Sequence, residues 1–430
     1  MRRTKELEIK DIQVFKSQLL EWAQNYEEVS WLDSNQCKQT YSNFDAVLAV
    51  DALTQIKTGY KHAFEQLKSY QEMTSDWIFG YLSYDLKNSL ENLVSCNYDG
   101  LKFPELFFFQ PKKIFFIKDN KVTAQYVDNV ANEIDFDLLS ISRYPTTAVK
   151  NLERPSLKIH SRISKECYIN LVEKLKNHIQ RGDIYEANFC QEFYANGQIN
   201  PLHIFKQLQF LSTPPFAVFF KNNFHFLMSA SPERYLKKQG NLLISQPIKG
   251  TAKRSSDAAV DLRLKNTLFA DPKERSENVM IVDLVRNDLS RIANKGSVEV
   301  EELSALYSFK QVHHLISTIR AELDSKLSAV DAICASYPMG SMTGAPKISA
   351  MKIIENLEQS KRGLYSGAVG YFTPDGNFDF NVVIRSILYN ALTSYVSFSV
   401  GSAITAKSIA ANEYEECLIK AKAMRKVLEN

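Results

Sequence analysis

Fifteen glycines are scattered through the 430 residues, and no two of them stand two positions apart. A dinucleotide-binding βαβ fold needs a G-x-G-x-x-G turn, whose glycines let the backbone approach a pyrophosphate, so that fold is excluded. No glycine is followed by lysine, which excludes a P-loop as well. None of the seven histidines is followed by glutamate, which removes H-E-x-x-H metalloproteases. The six cysteines (Cys37, Cys96, Cys167, Cys190, Cys334, Cys417) form no C-x-x-C pair, so neither a zinc cage nor a thioredoxin-type motif is expected. Free thiols in a chain this long fit a reducing, cytoplasmic setting.

Length divided by roughly 150 residues per domain gives about three domains, although large α/β folds exceed that figure as single units. Lys plus Arg is 52 and Asp plus Glu is 49, a balance of +3. The basic residues are dispersed, so a nucleic-acid partner is not expected. The start, Met1 to Lys10, is charged and has no apolar core, so no signal peptide is expected. The aromatic runs Phe107-Phe108-Phe109 and Phe216 to Phe220 are far too short to span a membrane.

The first 150 residues read as mixed and strand-rich. Asn43 to Val50 and Trp77 to Tyr84 have strand character, and Gln110 to Val127 reads as a hairpin about Lys118-Asp119-Asn120. Residues 129 to 160 are polar, carry Pro145 and Pro155, and read as a connector. From Ser164 the period changes: Tyr168, Leu171, Val172, Leu175 and Ile179 predict a helix ending near Arg181-Gly182. Strands are predicted at Ile184 to Phe193, Phe216 to Lys221, Phe224 to Ser229 and Leu242 to Ser245. A helix over Asp271 to Ile292 is announced by Asp271-Pro272, an N-cap followed by proline at the first helical position. Helices at Val330 to Ser336 and Pro346 to Leu357 follow, then strands at Ser366 to Thr373, Phe378 to Tyr389 and Ser394 to Ser399, and a last helix over Ala410 to Leu428.

Glu274 and Glu277 lie i, i+3 on one predicted helix, and Glu413 and Glu416 do the same on another. Residues three apart share a helix face, and like charges there repel unless a cation lies between them. Hard carboxylate oxygens from two helices suit Mg2+; the same spacing also suits two solvated faces. Pro247-Ile248-Lys249-Gly250-Thr251 forms a tight turn that presents Lys249, either as a solvated lysine or as a nucleophile if its pKa falls from roughly 10.4. Glu233, in Ser231-Pro232-Glu233-Arg234, suits a general acid if burial raises its pKa, or an ion pair with Arg234. His313-His314 precedes Leu315-Ile316, so one imidazole faces inward. Tyr365 and Arg385 could bind a carboxylate; Arg385, read as lying in a strand, needs an acidic partner or ligand.

Taken in order, GDIYEANFCQEF, SPERY, PIKGT, ENVMIVDLVRNDLSRI, VHHLISTI, GSMTGAPKISAM, RGLYSGAVGYF, NVVIRS and ANEYEECLIKA resemble the chorismate-utilising family. That family includes the anthranilate synthase large subunit, aminodeoxychorismate synthase component I, and the isochorismate and salicylate synthases. The resemblance is strong from about residue 160 to 430 and fainter before, in YSNFDAVLAVDA and FGYLSYDL. It implies an α+β, anthranilate-synthase-like fold of two antiparallel sheets sandwiched with flanking helices. Residues 160–430 would form the chorismate-binding catalytic part, and residues 1–150 would complete the sandwich as one large unit. It further implies Mg2+ held by Glu277 and Glu416, with Glu274 and Glu413 beside them, and a substrate held by Gly250, Thr251, Tyr365 and Arg385 with His314 beside the ring.

Within the family the resemblance points to aminodeoxychorismate synthase component I. Isochorismate and salicylate synthases carry a water-activating lysine where this chain has Glu186. Anthranilate synthases carry alanine where it has Lys249, which resembles the aminodeoxychorismate synthase nucleophile; Glu233 resembles that enzyme's general acid. The expected reaction converts chorismate and ammonia to 4-amino-4-deoxychorismate, a precursor of para-aminobenzoate and folate. Anthranilate synthesis and a non-catalytic chorismate-binding subunit are the alternatives. No cysteine carries the G-x-C-x-G glycines of a class I glutaminase, so a separate glutamine amidotransferase subunit is implied. One departure stands out: the glycine run that binds a substrate carboxylate in the family corresponds to Val400-Gly401-Ser402-Ala403, so the resemblance implies substrate binding at Gly401 and Ala403, while Ser402 and Ala403 add Cβ atoms that matter if the backbone there needs φ > 0.

Overall fold

Side chains alternate along the strand Ala46–Thr58 and thereby divide the core. Ala46, Leu48 and Val50 enter one apolar cluster, while Val47 and Ala49 enter a second, as a pleated strand dictates. At Asp51 the backbone is left-handed, with φ 64°, and the ladder to Leu106–Lys118 shifts register between Ala52 and Thr54. A bulge of this kind bends the strand and re-aims its faces. Beyond it, Ile56 packs on a third cluster. The partner strand repeats the division: Leu106 and Phe108 enter the third cluster, Phe107, Phe109 and Ile114 the second, and Phe115 and Ile117 the first. These two strands therefore serve two sheet arms at once.

The computed structural model describes residues 1–37, 39–146, 148–149, 152–153, 155–309 and 312–429. Among them twenty strands join in one hydrogen-bonded network. One arm runs from Ala46–Thr58 through Glu28–Asp33, Phe216–Asn222, His225–Ser231, Ser386–Asn390 and Tyr395–Ile404 to Glu186–Asn196, antiparallel throughout. The other runs from Leu106–Lys118 through Ile78–Leu82, Ala368–Phe372, Phe378–Val382, Arg234–Gln239 and Leu242–Gln246 to Val312–Glu322, also antiparallel. The second cluster fills the space between the arms, where Tyr81 of one meets Phe220 of the other edge-on at 5.4 Å. Helices Lys165–Gln180, Pro201–Ser212 and Ala410–Leu428 cover the first arm; Ala63–Thr74, Pro272–Ser290 and Ala329–Ser336 cover the second. This is the expected α+β sandwich of antiparallel sheets, with the two sheets joined edge to edge through the shared strands.

Caps fix the helices that matter to the site. Ser164 accepts from the Cys167 amide, and Asp271 accepts from the Lys273 and Glu274 amides with Pro272 behind it, each satisfying amides that a helix start leaves unbonded. Two readings need correction. The expected connector over 129 to 160 contains the helix Ile134–Ser142, whose Ile134 and Ile141 pack on the first cluster; its positions 147, 150, 151 and 154 lie outside the described residues. The run Phe378 to Tyr389 is not one strand but two, Phe378–Val382 and Ser386–Asn390, paired in different arms. Among the described residues no helix is long and apolar enough to cross a membrane.

Candidate active site

The strand Ile248–Lys253 loses register with Val312–Glu322 between Ile248 and Thr251. Gly250 sits in that slip at φ 96°, and a Cβ there would lie 3.1 Å from Leu315 Cδ1 and 3.2 Å from Glu274 Oε2, so both conformation and space call for glycine. Lys249 is thereby turned toward two carboxylates: its Nζ donates to Glu186 Oε1 at 3.0 Å and lies 3.9 Å from Glu277 Oε2. Burial pulls its pKa down, and the charges of Glu186, Glu277 and Glu416 more than reverse that, so it ends above its ordinary value. Lys249 is an ammonium in this arrangement, not the pKa-lowered amine that the turn alone suggested. Glu186 heads the strand Glu186–Asn196, pinned by its pairing with Ala345.

Glu233 follows the strand His225–Ser231 and is buried. Burial pushes its carboxyl up to about 7, against a pull from the Ser341 hydroxyl, which donates to Oε1 at 2.6 Å, and from Lys249. Arg234 is committed elsewhere, with Nε 2.9 Å from Asp379 Oδ1, so it is not the ion-pair partner of Glu233. His314 Nδ1 and Thr251 Oγ1 are hydrogen-bonded at 2.9 Å. Burial, with the charge of Arg385, lowers the imidazole to about 4, so it is neutral near pH 7. Both His313 and His314 are buried.

Four carboxylates flank this centre. Glu277 is buried and its carboxyl is raised to about 7, first by burial, while Lys249 opposes the rise and Glu186 adds to it. Among the described residues its Oε1 has no hydrogen-bond partner. Glu274, one turn earlier, is raised by burial. Glu413 is buried at the start of Ala410–Leu428. Glu416 is lowered: burial opposes it, but Lys420, whose Nζ is 2.6 Å away, prevails. Glu277, Glu413, Glu274 and Glu416 all act on Lys273, whose ammonium they stabilise against a burial penalty. Among the described residues no three His, Cys, Asp or Glu side chains converge as a metal cluster.

Arg385 occupies the break between the two strands, at φ 53°. Burial lowers its pKa, its Nη1 reaches the Lys420 carbonyl at 3.4 Å, and among the described residues no carboxylate lies within ion-pair distance. A half-buried guanidinium without a counter-ion suits an anionic ligand. Tyr365 lies close by, its hydroxyl 3.6 Å from Cys190 Sγ. Cys190 faces Gly401, where a Cβ would stand 2.4 Å from Cys190 Sγ and 2.7 Å from the Phe189 carbonyl. Lys420 donates to the Gly401 carbonyl at 2.8 Å. Ser402 and Ala403 continue the extended strand opposite Phe189 and Asn188 and are not left-handed, so their Cβ atoms introduce no backbone strain.

The structure thus groups Lys249, Glu233, Glu277, Thr251 and His314 about one slip in a ladder, with Arg385, Tyr365, Gly401 and Glu416 linked through Lys420 and Cys190. Ala403 is a strand residue one step further along. Ser341, Lys273, Lys420 and Cys190 were not anticipated; Ser341 was within reach of sequence reasoning, since it lies in GSMTGAP.

A family model for chorismate binding enzymes matches residues 20–426. An anthranilate synthase component I-like protein of Synechocystis sp. is 34% identical over 356 residues, covering 82% of this chain and 72% of that protein. Aminodeoxychorismate synthase component 1 of Bacillus subtilis is 31% identical over 361 residues, covering 81% and 76%. The crystal structure of anthranilate synthase component I from Streptococcus pneumoniae superposes with a TM-score of 0.78 at 26% identity, covering 90% of this chain and 93% of that one.

Proposed function

Since the chain belongs to the chorismate binding enzyme family, we propose that it is component I of an aminodeoxychorismate synthase, which aminates chorismate to 4-amino-4-deoxychorismate. The observation that carries this reading is Lys249, a largely buried lysine at the centre of the site with an acid, Glu233, electrostatically coupled to it.

In the proposed reaction Lys249 first yields a proton, for which Glu186 at 3.0 Å is the acceptor in reach. Its Nζ then bonds to ring C2, both ring double bonds shift by one position, and the C4–O bond breaks. Glu233 protonates the departing hydroxyl, which leaves as water. Ammonia then bonds to C4, both double bonds shift back as the C2–Nζ bond breaks, Glu233 takes back a proton from the new amine, and Glu186 returns its proton to the released lysine. Splitting one displacement into two lowers each barrier, and an acid near 7 is matched to donating and accepting at neutral pH. Arg385 and Tyr365 would hold a substrate carboxylate, and Gly250, Thr251 and neutral His314 would line the ring. The residues fit Mg2+: Glu277 and Glu416, supported by Glu274 and Glu413, would hold it, and the partnerless Oε1 of Glu277 favours a cation there. Two carboxylates suffice for an ion that keeps waters and takes substrate oxygens. When bound, it would neutralise carboxylate charge on the substrate.

Ammonia would come from a glutamine amidotransferase subunit, consistent with the component 1 designation of the Bacillus relative. Anthranilate synthesis is the second reading, favoured by the Synechocystis and Streptococcus proteins. Incubation with chorismate, Mg2+ and ammonium, with products identified by mass, separates them. Aminodeoxychorismate is expected; anthranilate with pyruvate favours the second reading; no turnover overturns both. Lys249→Ala is expected to abolish aminodeoxychorismate formation, and an unchanged rate removes Lys249 as nucleophile.

A further inference from the structure

Two carboxylates compete for one ammonium. Lys249 Nζ is 3.0 Å from Glu186 but 3.9 Å from Glu277. The competitors are not equally served. Glu277 is buried and among the described residues its Oε1 has no hydrogen-bond partner, a costly state for a buried acceptor. Lys273 approaches that oxygen only to 3.8 Å and is half exposed, so it relieves little. Lys249 has the reach to pair with Glu277. What opposes that is Glu186, only 3% exposed, fixed at a strand start and hydrogen-bonded to the same nitrogen.

We infer that Glu186 is a positioning residue that holds the Lys249 ammonium away from Glu277 and so keeps Glu277 open to a divalent cation. The inference rests on the reading above that Glu277 belongs to a Mg2+ site. With a neutral side chain at 186, Lys249 turns to Glu277, which is already within ion-pair reach at 3.9 Å, and a cation must then displace an ammonium from its own ligand. Glu186 thus acts on the cation through Lys249, without touching it.

Calorimetric titration of Mg2+ into the protein, with no chorismate present, tests this. For Glu186→Gln the dissociation constant for Mg2+ is expected to rise about tenfold or more, since a close charge in a buried site acts across a lowered dielectric. In the double variant Glu186→Gln/Lys249→Met the competitor is gone, and affinity is expected to return to the wild-type value or better. Equal affinities in wild type and Glu186→Gln overturn the positioning role. A weakened single variant that the double variant does not restore overturns Lys249 as the competitor, and the inference with it. If wild-type protein takes up no Mg2+, the cation reading itself fails. Should Glu186→Gln not fold, Glu186→Asp, which keeps the charge but shortens its reach, is titrated instead with the same direction expected.

Discussion

Glu277 on Pro272–Ser290 and Glu416 on Ala410–Leu428 occupy matching places in two E-x-x-E pairs, yet burial holds the first up to about 7 while Lys420 brings the second below its ordinary value. The difference is written in the order of charges along each helix. Glu416 precedes Lys420 by four residues, and the pair closes to 2.6 Å. Glu277 follows Lys273 by four residues, and that pair stays at 3.8 Å. Glutamate N-terminal to lysine is the better i, i+4 order. One helix therefore presents a satisfied carboxylate and the other an unsatisfied one. The unsatisfied one faces Lys249, where the chemistry is proposed.

The most drastic way to break this contrast is Glu277→Gln. Loss of about 10²- to 10³-fold in turnover is expected, the scale on which removing one charge-stabilising group acts; steady-state rates at saturating Mg2+ check it. The same variant sharpens the contrast through stability. Glu277 and Glu233 both have native values near 7, above an unfolded value near 4.5. Between those values the native state binds more protons than the unfolded state, so stability falls as pH rises through that window. Each carboxyl contributes on the order of 3 kcal/mol of loss by pH 8. Thermal midpoints measured in chelator at pH 5 and pH 8 are expected to differ less in Glu277→Gln than in wild type. A wild-type protein equally stable at both pH values would contradict the raised values.

The same logic of order along the chain explains what was legible in the sequence. The capped helix after Asp271-Pro272 and the last helix, Ala410–Leu428, were readable because caps and period are local. The hairpin about Asp119 was readable for the same reason. The break at Arg385 was not: Phe378 to Tyr389 is one apolar run, and only the passage of the chain from one arm to the other, marked by a left-handed arginine, divides it. Nor was the helix Ile134–Ser142 legible among polar neighbours, since its stability comes from two isoleucines packed on a distant cluster. At the site, Lys249, Glu233 and the two E-x-x-E pairs stood out by motif. Their charge states did not, because those depend on Glu186 and Ser341, which are 63 and 108 positions away along the chain from Lys249 and Glu233.

The smallest expected effect lies at Lys420, whose ammonium bridges Glu416 and the Gly401 carbonyl. The Glu416 side chain is 45% exposed, so the pair contributes under about 1 kcal/mol. Lys420→Met keeps much of the stem's packing and removes both bonds. Glu416 has a depressed native value, so its stabilisation is present above its unfolded value and is lost as pH falls through the native one. Lys420→Met should therefore lower the thermal midpoint by about 1–2 °C at pH 7, with the deficit shrinking in acid. A variant that instead keeps its midpoint but loses turnover would mean that the lysine serves the Gly401 carbonyl and the backbone around it. The pairing with Glu416 would then be incidental, and the two acidic helices would differ in burial alone.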